Sequence, residues 1–319
     1  MNNKQRGGKP HCNSPKGSPV QTEKVAANGI EITYEDAGPR DAPVMLLIMG
    51  LGGQLTLWPD EFVAALGDRG FRTIRYDNRD VGHSTRLDAA GVPNVKWMVV
   101  KSIFGLRPAA PYGIADMARD ATALLDALGI DRAHVVGASM GGMIAQHVAA
   151  RAPERVHSLT SVMSTTGNRR LPRSKPEAMK ALAGRPTSGD KEELIAYMKR
   201  AARTIGSPGY PPTDERLDWR VRRDFDRAWY PPGFVRQMAA IIADGDRRPL
   251  LRTIKAPTLV IHGEDDPLVP LAGGQDTADN IPGARLLTIP GMGHDLPLAL
   301  VDTLADAIAD HARAAKVDA

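Results

Sequence analysis

The chain has 319 residues, 42% apolar and 24% charged, a composition typical of a globular protein large enough to bury a sizeable core. No apolar run approaches the roughly 20 residues that span a bilayer, and the single cysteine, Cys12, excludes an intrachain disulfide and any multi-cysteine metal site. The net charge of +4 is carried by Lys4, Arg6, Lys9 and Lys16, which face no acid nearby, while the rest of the chain balances 37 basic against 37 acidic side chains.

Residues 1–21, rich in Gly, Pro, Asn and Ser, read as a disordered basic tail. The neutral remainder argues against nucleic acid or a membrane as a partner. No apolar signal segment opens the chain, so a cytoplasmic protein without a cofactor or metal is expected.

After the tail, Glu23 to Ala27 and Ile30 to Asp36 are strand-like, and Asn28-Gly29 between them is a two-residue hairpin signal. Val44 to Met49 reads as a buried strand and runs into the Gly-rich turn Gly50-Leu51-Gly52-Gly53. Pro59 to Leu66 has a helical pattern, and Arg72 to Tyr76 reads as a strand. The long segment from Thr85 to Tyr112 carries Trp97, Met98, Val99, Val100, Ile103, Phe104 and Leu106, which suit either a short extra helix or one wall of an apolar pocket. Ile114 to Leu128 is an amphipathic helix, Ala133 to Gly137 a strand, Met140 to Arg151 a helix and Val156 to Met163 a strand.

This alternation implies a mostly parallel sheet covered on both faces. It breaks over residues 166–253, where helical patterns at Lys175 to Leu182, Lys191 to Arg203, Asp214 to Arg227 and Pro232 to Ala243 follow one another without a buried strand. The expected organisation is a helical cap at 166–253 inserted into a sheet domain formed by 22–165 and 254–319. Strands resume at Thr258 to His262 and Ala284 to Ile289, and Leu298 to Ala314 closes the chain as a helix.

The pentapeptide Gly137-Ala138-Ser139-Met140-Gly141 stands between a strand and a helix, the pattern of a nucleophile elbow. Glycines suit such a turn because a Cβ would crowd the close approach of strand and helix. A serine hydroxyl is a weak nucleophile until a base accepts its proton and an acid orients that base. Behind an elbow the chain order should be serine, acid, histidine, with each group at the carboxyl end of a strand. His294 follows the last strand in Gly291-Met292-Gly293-His294 and is the expected base. Three carboxylates, Glu264, Asp265 and Asp266, follow the preceding strand and compete for the acid. The acyl intermediate also needs two N–H donors. The Met140 amide, at a helix N-terminus directly after the serine, is one candidate.

On these motifs the chain resembles the α/β-hydrolase fold superfamily over roughly residues 25 to 315. It is most similar to a serine esterase-like branch containing small-molecule carboxylesterases and polyketide methylesterases. The resemblance implies an eight-stranded, mostly parallel sheet flanked by helices, with an inserted helical cap. The family's acid loop often reads G-x-x-D-x-x-x-P, matched by Gly263, Asp266 and Pro270, which favours Asp266. Its final loop G-x-G-H is matched by Gly291, Gly293 and His294. Its H-G-x-G loop implies the Leu51 amide as second oxyanion donor, although Met49 replaces the usual histidine and leaves the loop's bracing open. The stretch from Tyr76 to Ser84 resembles Y-D-x-R-G-x-G-x-S, with Asp80 where a glycine is common, and implies structural roles for Asp77 and Arg79.

The expected activity is hydrolysis of a small, largely apolar carboxylic ester through an acyl-enzyme on Ser139, with Trp58, Trp97, Phe104, Trp219, Trp229 and Phe234 as candidate substrate contacts. The many arginines of the cap are read as solvated. A lactonase or carbon–carbon bond hydrolase would use the same three residues. A cofactor-free haloperoxidase, an acyltransferase or a ligand receptor are more distant alternatives.

Overall fold

The computed structural model describes residues 21–106, 108–184 and 189–315; the expected tail, apart from its last residue, lies outside them. One eight-stranded sheet runs in the order β1-β2-β4-β3-β5-β6-β7-β8. The strands are β1 (Thr22–Ala27), β2 (Ile30–Ala37), β3 (Val44–Ile48), β4 (Arg72–Tyr76), β5 (Ala133–Ala138), β6 (Val156–Val162), β7 (Thr258–Gly263) and β8 (Arg285–Ile289). The first hairpin and the β2–β4 pair are antiparallel, and all later pairs are parallel. Asn28 and Gly29 turn the hairpin at φ of 49° and 76°, the left-handed pair that a two-residue turn requires.

The helices are α1 (Asp60–Asp68), α2 (Val95–Ile103), α3 (Ile114–Ala127), α4 (Met140–Arg151), α5 (Pro176–Ala183), α6 (Lys191–Ile205), α7 (Asp214–Arg227), α8 (Pro231–Asp244), α9 (Arg248–Leu251), α10 (Leu271–Asn280) and α11 (Val301–Ala314). All five residues of β3 are buried because the sheet is covered on both faces. Alternate side chains divide between two cores. Leu46 and Ile48 pack with Leu124 of α3 and Ile144 of α4. Met45 and Leu47 pack with Phe62 of α1 and Leu304 of α11.

Helices α5 to α9 are inserted between β6 and β7. The segment before α3 does form a helix, α2, which packs on α8. The sequence reading did not anticipate α10, whose LAGGQDTADN composition is poor in helix formers. Its glycines answer to packing: a Cβ at Gly273 would stand 3.1 Å from Thr165 Cβ, and one at Gly274 2.5 Å from His262 Nδ1.

Candidate active site

Ser139 lies at φ 56° and ψ −118° between β5 and α4, backbone that a non-glycine residue rarely adopts. The flanking glycines leave room for this turn. A Cβ at Gly137 would collide with the Gly141 carbonyl, and one at Gly141 with the Ile48 carbonyl. The Ser139 backbone is held by its N–H to Val162 O at 2.9 Å and by Ser164 Oγ donating to its carbonyl at 2.8 Å.

His294 reaches Ser139 from the loop after β8. Its Nδ1–H donates to Asp266 Oδ2 at 2.7 Å, which leaves Nε2 to accept from the Ser139 hydroxyl at 2.9 Å. Asp266 has no exposed side-chain surface. Its other oxygen accepts the Leu268 and Val269 amides at 2.9 and 2.8 Å. Among the three competing carboxylates only Asp266 turns toward His294. Asp265 accepts the Gly291 amide at 2.9 Å, and Glu264 accepts from Thr288 Oγ1 at 2.8 Å. His262 braces the same loop, with Nε2–H donating to Val269 O at 2.8 Å. Burial holds the His262 pKa below the ordinary histidine value, which keeps its ring neutral.

The His294 loop is fastened to the chain that follows α6. The His294 amide donates to Ile205 O at 2.7 Å, Gly293 N–H to Ser207 Oγ at 2.8 Å, and Gly209 N–H to Gly291 O at 2.9 Å. Asp295 accepts both the Ser207 amide, at 3.0 Å, and its hydroxyl, at 2.5 Å.

The Gly50–Gly53 turn closes over Ser139, since a Cβ at Gly50 would stand 3.1 Å from Ser139 Cβ. The Leu51 and Met140 amides donate to no protein acceptor among the described residues. Met140 opens α4, where first-turn N–H groups have no partner within the helix. The bracing left open by Met49 comes from two amide side chains that the sequence reading did not single out. Asn78 Nδ2 donates to Met49 O at 2.9 Å. Gln237 Oε1 accepts the Gly52 amide at 2.8 Å while its Nε2 donates to Arg79 O at 2.8 Å. The available signal was on α8, where Arg236 and Gln237 interrupt an inward face otherwise made of Gly233, Ala239 and Ala240.

Asp80 takes the left-handed backbone, φ 67°, that usually favours glycine. Its carboxylate holds Arg236 of α8 at 2.8 and 2.7 Å and accepts the Leu87 amide at 2.7 Å. Asp77 accepts the Leu55 and His83 amides at 2.8 and 2.9 Å and pairs with Arg227 at 2.8 Å. Arg79 forks onto Asp120, with two bonds of 2.6 Å.

Of the candidate substrate contacts, the structure brings Phe234 to the Gly-rich turn, where a Cβ on Gly52 would lie 2.7 Å from its ring. The others stand elsewhere. Trp58 is fully buried and stacked on Phe62 at 5.5 Å, so it belongs to the core rather than to a pocket wall. Trp97 and Phe104 are 57% and 77% exposed, at α2 and its C-cap, and open to solvent. Trp219 meets the guanidinium groups of Arg216 and Arg223, each 4.4 Å from its ring centre, and these arginines pair with Glu61 and Asp60 of α1. Trp229 is exposed and stacks on Phe225 at 5.3 Å.

Among the described residues no cluster of three or more His, Cys, Asp or Glu side chains could hold a metal ion, and no helix is long and apolar enough to cross a membrane.

The family model described as the alpha/beta hydrolase fold matches residues 43–298. The chain is 33% identical to the rhodomycin D methylesterase DauP of a Streptomyces species, over 93% of this chain and the whole of that protein. It is 27% identical to 3-oxoadipate enol-lactonase 2 of Acinetobacter baylyi, over 81% of this chain and 85% of that one. Among solved structures, the enol-lactonase from Burkholderia xenovorans superposes with a TM-score of 0.67 at 27% identity, covering 91% of this chain and 99% of that one.

Proposed function

This chain belongs to the α/β-hydrolase fold family and is a hydrolase acting on ester bonds, and from that premise we propose that it cleaves a small carboxylic ester through an acyl-enzyme on Ser139. The observation that carries the reading is the continuous hydrogen-bonded line from Ser139 Oγ through His294 to Asp266. In the proposed cycle Ser139 Oγ attacks the ester carbonyl as His294 Nε2 takes its proton. Asp266 stabilises the imidazolium through Nδ1–H. The carbonyl oxygen becomes an oxyanion, received by the Leu51 and Met140 amides. The tetrahedral intermediate collapses, and His294 protonates the departing alcohol. A water deprotonated by His294 then attacks the acyl-enzyme. The acid leaves, and the proton returns to Ser139.

In this reading residues 166–253 act as a cap that excludes water and selects the substrate, and the protein works in the cytoplasm. The likeness to two enol-lactonases favours a second reading with the same chemistry on a cyclic ester, in which the alcohol stays attached to the acid.

Ser139→Ala should lower kcat on a nitrophenyl ester about 10³-fold or more and abolish labelling by a fluorophosphonate. Turnover retained by the folded variant would defeat the assignment. A matched panel of linear esters and lactones separates the two readings.

A further inference from the structure

Seven of the twelve large apolar side chains that stand exposed among the described residues lie between Val92 and Leu106. Most of them belong to α2, a helix packed inside out. Its buried residues are Met98 and Ser102, four positions apart, so they mark the inward face. Val100 is two positions from each and points the opposite way. Trp97 and Phe104, three before it and four after, form an outward ridge with it, and Ile103, 73% exposed, stands beside them. A helix over a core ordinarily turns its apolar stripe inward and its polar residues to water. Here a serine faces in while tryptophan, isoleucine and phenylalanine face out.

The charges around this face have one sign. Between Asp88 and Asp116 the chain holds no acid, and its bases are Lys96, Lys101 and Arg107. Lys96 is exposed four positions before Val100, and Lys101 Nζ stands 5.8 Å from the Trp97 ring centre. The flanking acids are engaged elsewhere, Asp88 by the Tyr230 hydroxyl and Asp116 by Arg119. The basic character continues past the C-terminal end of α2, where Arg169 donates to the Ser102 carbonyl and hydroxyl. A recess of about 460 Å³ opens there, lined by Leu106, Arg169, Arg170 and Arg248 together with Asp244 and Asp246. Those two carboxylates are paired with Arg247 and Arg248, while Arg170 has no ion pair among the described residues.

An apolar ridge rimmed only by bases selects its partner. A second copy of this chain would set the same lysines against one another. A bilayer with anionic headgroups meets both needs, giving the ridge an acyl boundary to enter and the bases phosphates to pair with. Long lysine side chains reach back to the headgroups while the rings sink beneath them, and tryptophan favours that depth.

We propose that α2 lies flat on an anionic lipid surface, with Trp97, Val100, Ile103 and Phe104 entering the headgroup boundary and Lys96 and Lys101 on the phosphates. At nine residues the helix is too short to span a bilayer, so the contact is peripheral. The inference stands apart from the ester-hydrolase reading. It revises the expectation that no membrane is a partner: charge balances over the chain beyond the tail, but not over this face. Residues 1–20 add four bases and no acid, and a weak apolar anchor gains most from a second, basic signal.

The test is co-sedimentation of the full chain with vesicles of phosphatidylcholine alone or mixed with an equal part of phosphatidylglycerol. The wild type should bind the mixed vesicles about tenfold or more tightly than the neutral ones and lose that advantage at high salt. Tryptophan emission should shift to the blue on binding, and Trp97→Phe should remove the shift. Ile103→Ser combined with Phe104→Ser should weaken binding about tenfold or more. Lys96→Gln combined with Lys101→Gln should weaken it about 30-fold, at about fivefold per charge. Both double variants should keep the wild-type melting temperature, which shows that they are folded. A wild type that ignores both vesicles, or binds the neutral ones equally well, would overturn the proposal. So would binding that survives Ile103→Ser with Phe104→Ser, which would assign the contact to the basic tail. A concentration-dependent dimer in sedimentation velocity without lipid, abolished by that same pair, would replace the bilayer with a second copy. Failure of the hydrolase reading would leave these outcomes untouched, because binding is the readout.

Discussion

The helical insertion grips the rim of the sheet at two places, by opposite chemistry. Behind α6, the grip on the His294 loop is mostly backbone against backbone, with Ile205, Gly206 and Gly209 set against Gly291, Gly293 and His294, and the short side chains of Ser207 and Asp295 joining in. It works because side chains are missing: a Cβ on Gly293 would collide with the Gly206 carbonyl, and one on Gly209 would stand 2.9 Å from Gly291 Cα. On α8 the grip is made by long polar side chains. Arg236 enters the fold to reach Asp80, and Gln237 joins the Gly-rich turn to the Arg79 carbonyl. One grip sets the proposed base and the other the proposed oxyanion donors. Two halves of one insertion therefore control two different parts of the same chemistry, and each can be loosened separately.

The largest expected effect is on the α8 side. Arg236→Met leaves Asp80 buried without its cation and should cost about 3–5 kcal/mol of unfolding free energy, read from chemical denaturation. A loss below about 1 kcal/mol would mean that the ion pair holds nothing in place.

An acid titration provides a control at the far end of the sheet, away from both grips. His134, at the start of β5, lies 5.2 Å from the His157 ring, and burial pushes its pKa down to about 4. Burial also lowers those of His157 and His311. A depressed histidine is neutral in the fold and protonates first in the unfolded chain. Its stabilising contribution is therefore complete above the unfolded value of about 6.5 and is lost as pH falls toward 4. His134 alone should account for roughly 3 kcal/mol across that window. Removing it by His134→Gln should flatten the slope, and an unchanged slope would place the acid sensitivity elsewhere.

On the backbone side, Gly293→Ala should displace His294 and lower kcat about 10²-fold, because misplacing a reacting group by an ångström costs about that much. Stability should fall far less than activity; a proportionate fall would make the contact a general packing feature. The smallest effect is expected for Gln237→Leu, which frees the Gly52 amide and loosens the turn carrying Leu51. A kcat about tenfold lower with KM little changed would mark a residue that positions transition-state donors. A change in KM alone would make Gln237 a substrate contact instead.

Much of this arrangement was legible along the chain. The buried strands β3 and β5 stood out as apolar runs, and Asn28-Gly29 and Gly137-Ala138-Ser139-Met140-Gly141 marked turns whose backbone demands are local. Those demands act between near neighbours, so residue type and spacing expressed them directly. The order of Ser139, Asp266 and His294 was readable for the same reason: each follows a strand end that periodicity locates.

Facing relations between distant segments were decided only by the tertiary structure. Trp58 and Trp219 looked alike as aromatic candidates, yet one is sealed in the core and the other lies on an outer ion-paired face. Asp80 broke a local preference for glycine that makes sense only once Arg236, 156 residues later, arrives to pair with it. A sequence fixes what each residue can do. Which neighbours it meets depends on how helices pack over a sheet, and that is a property of the whole chain in three dimensions.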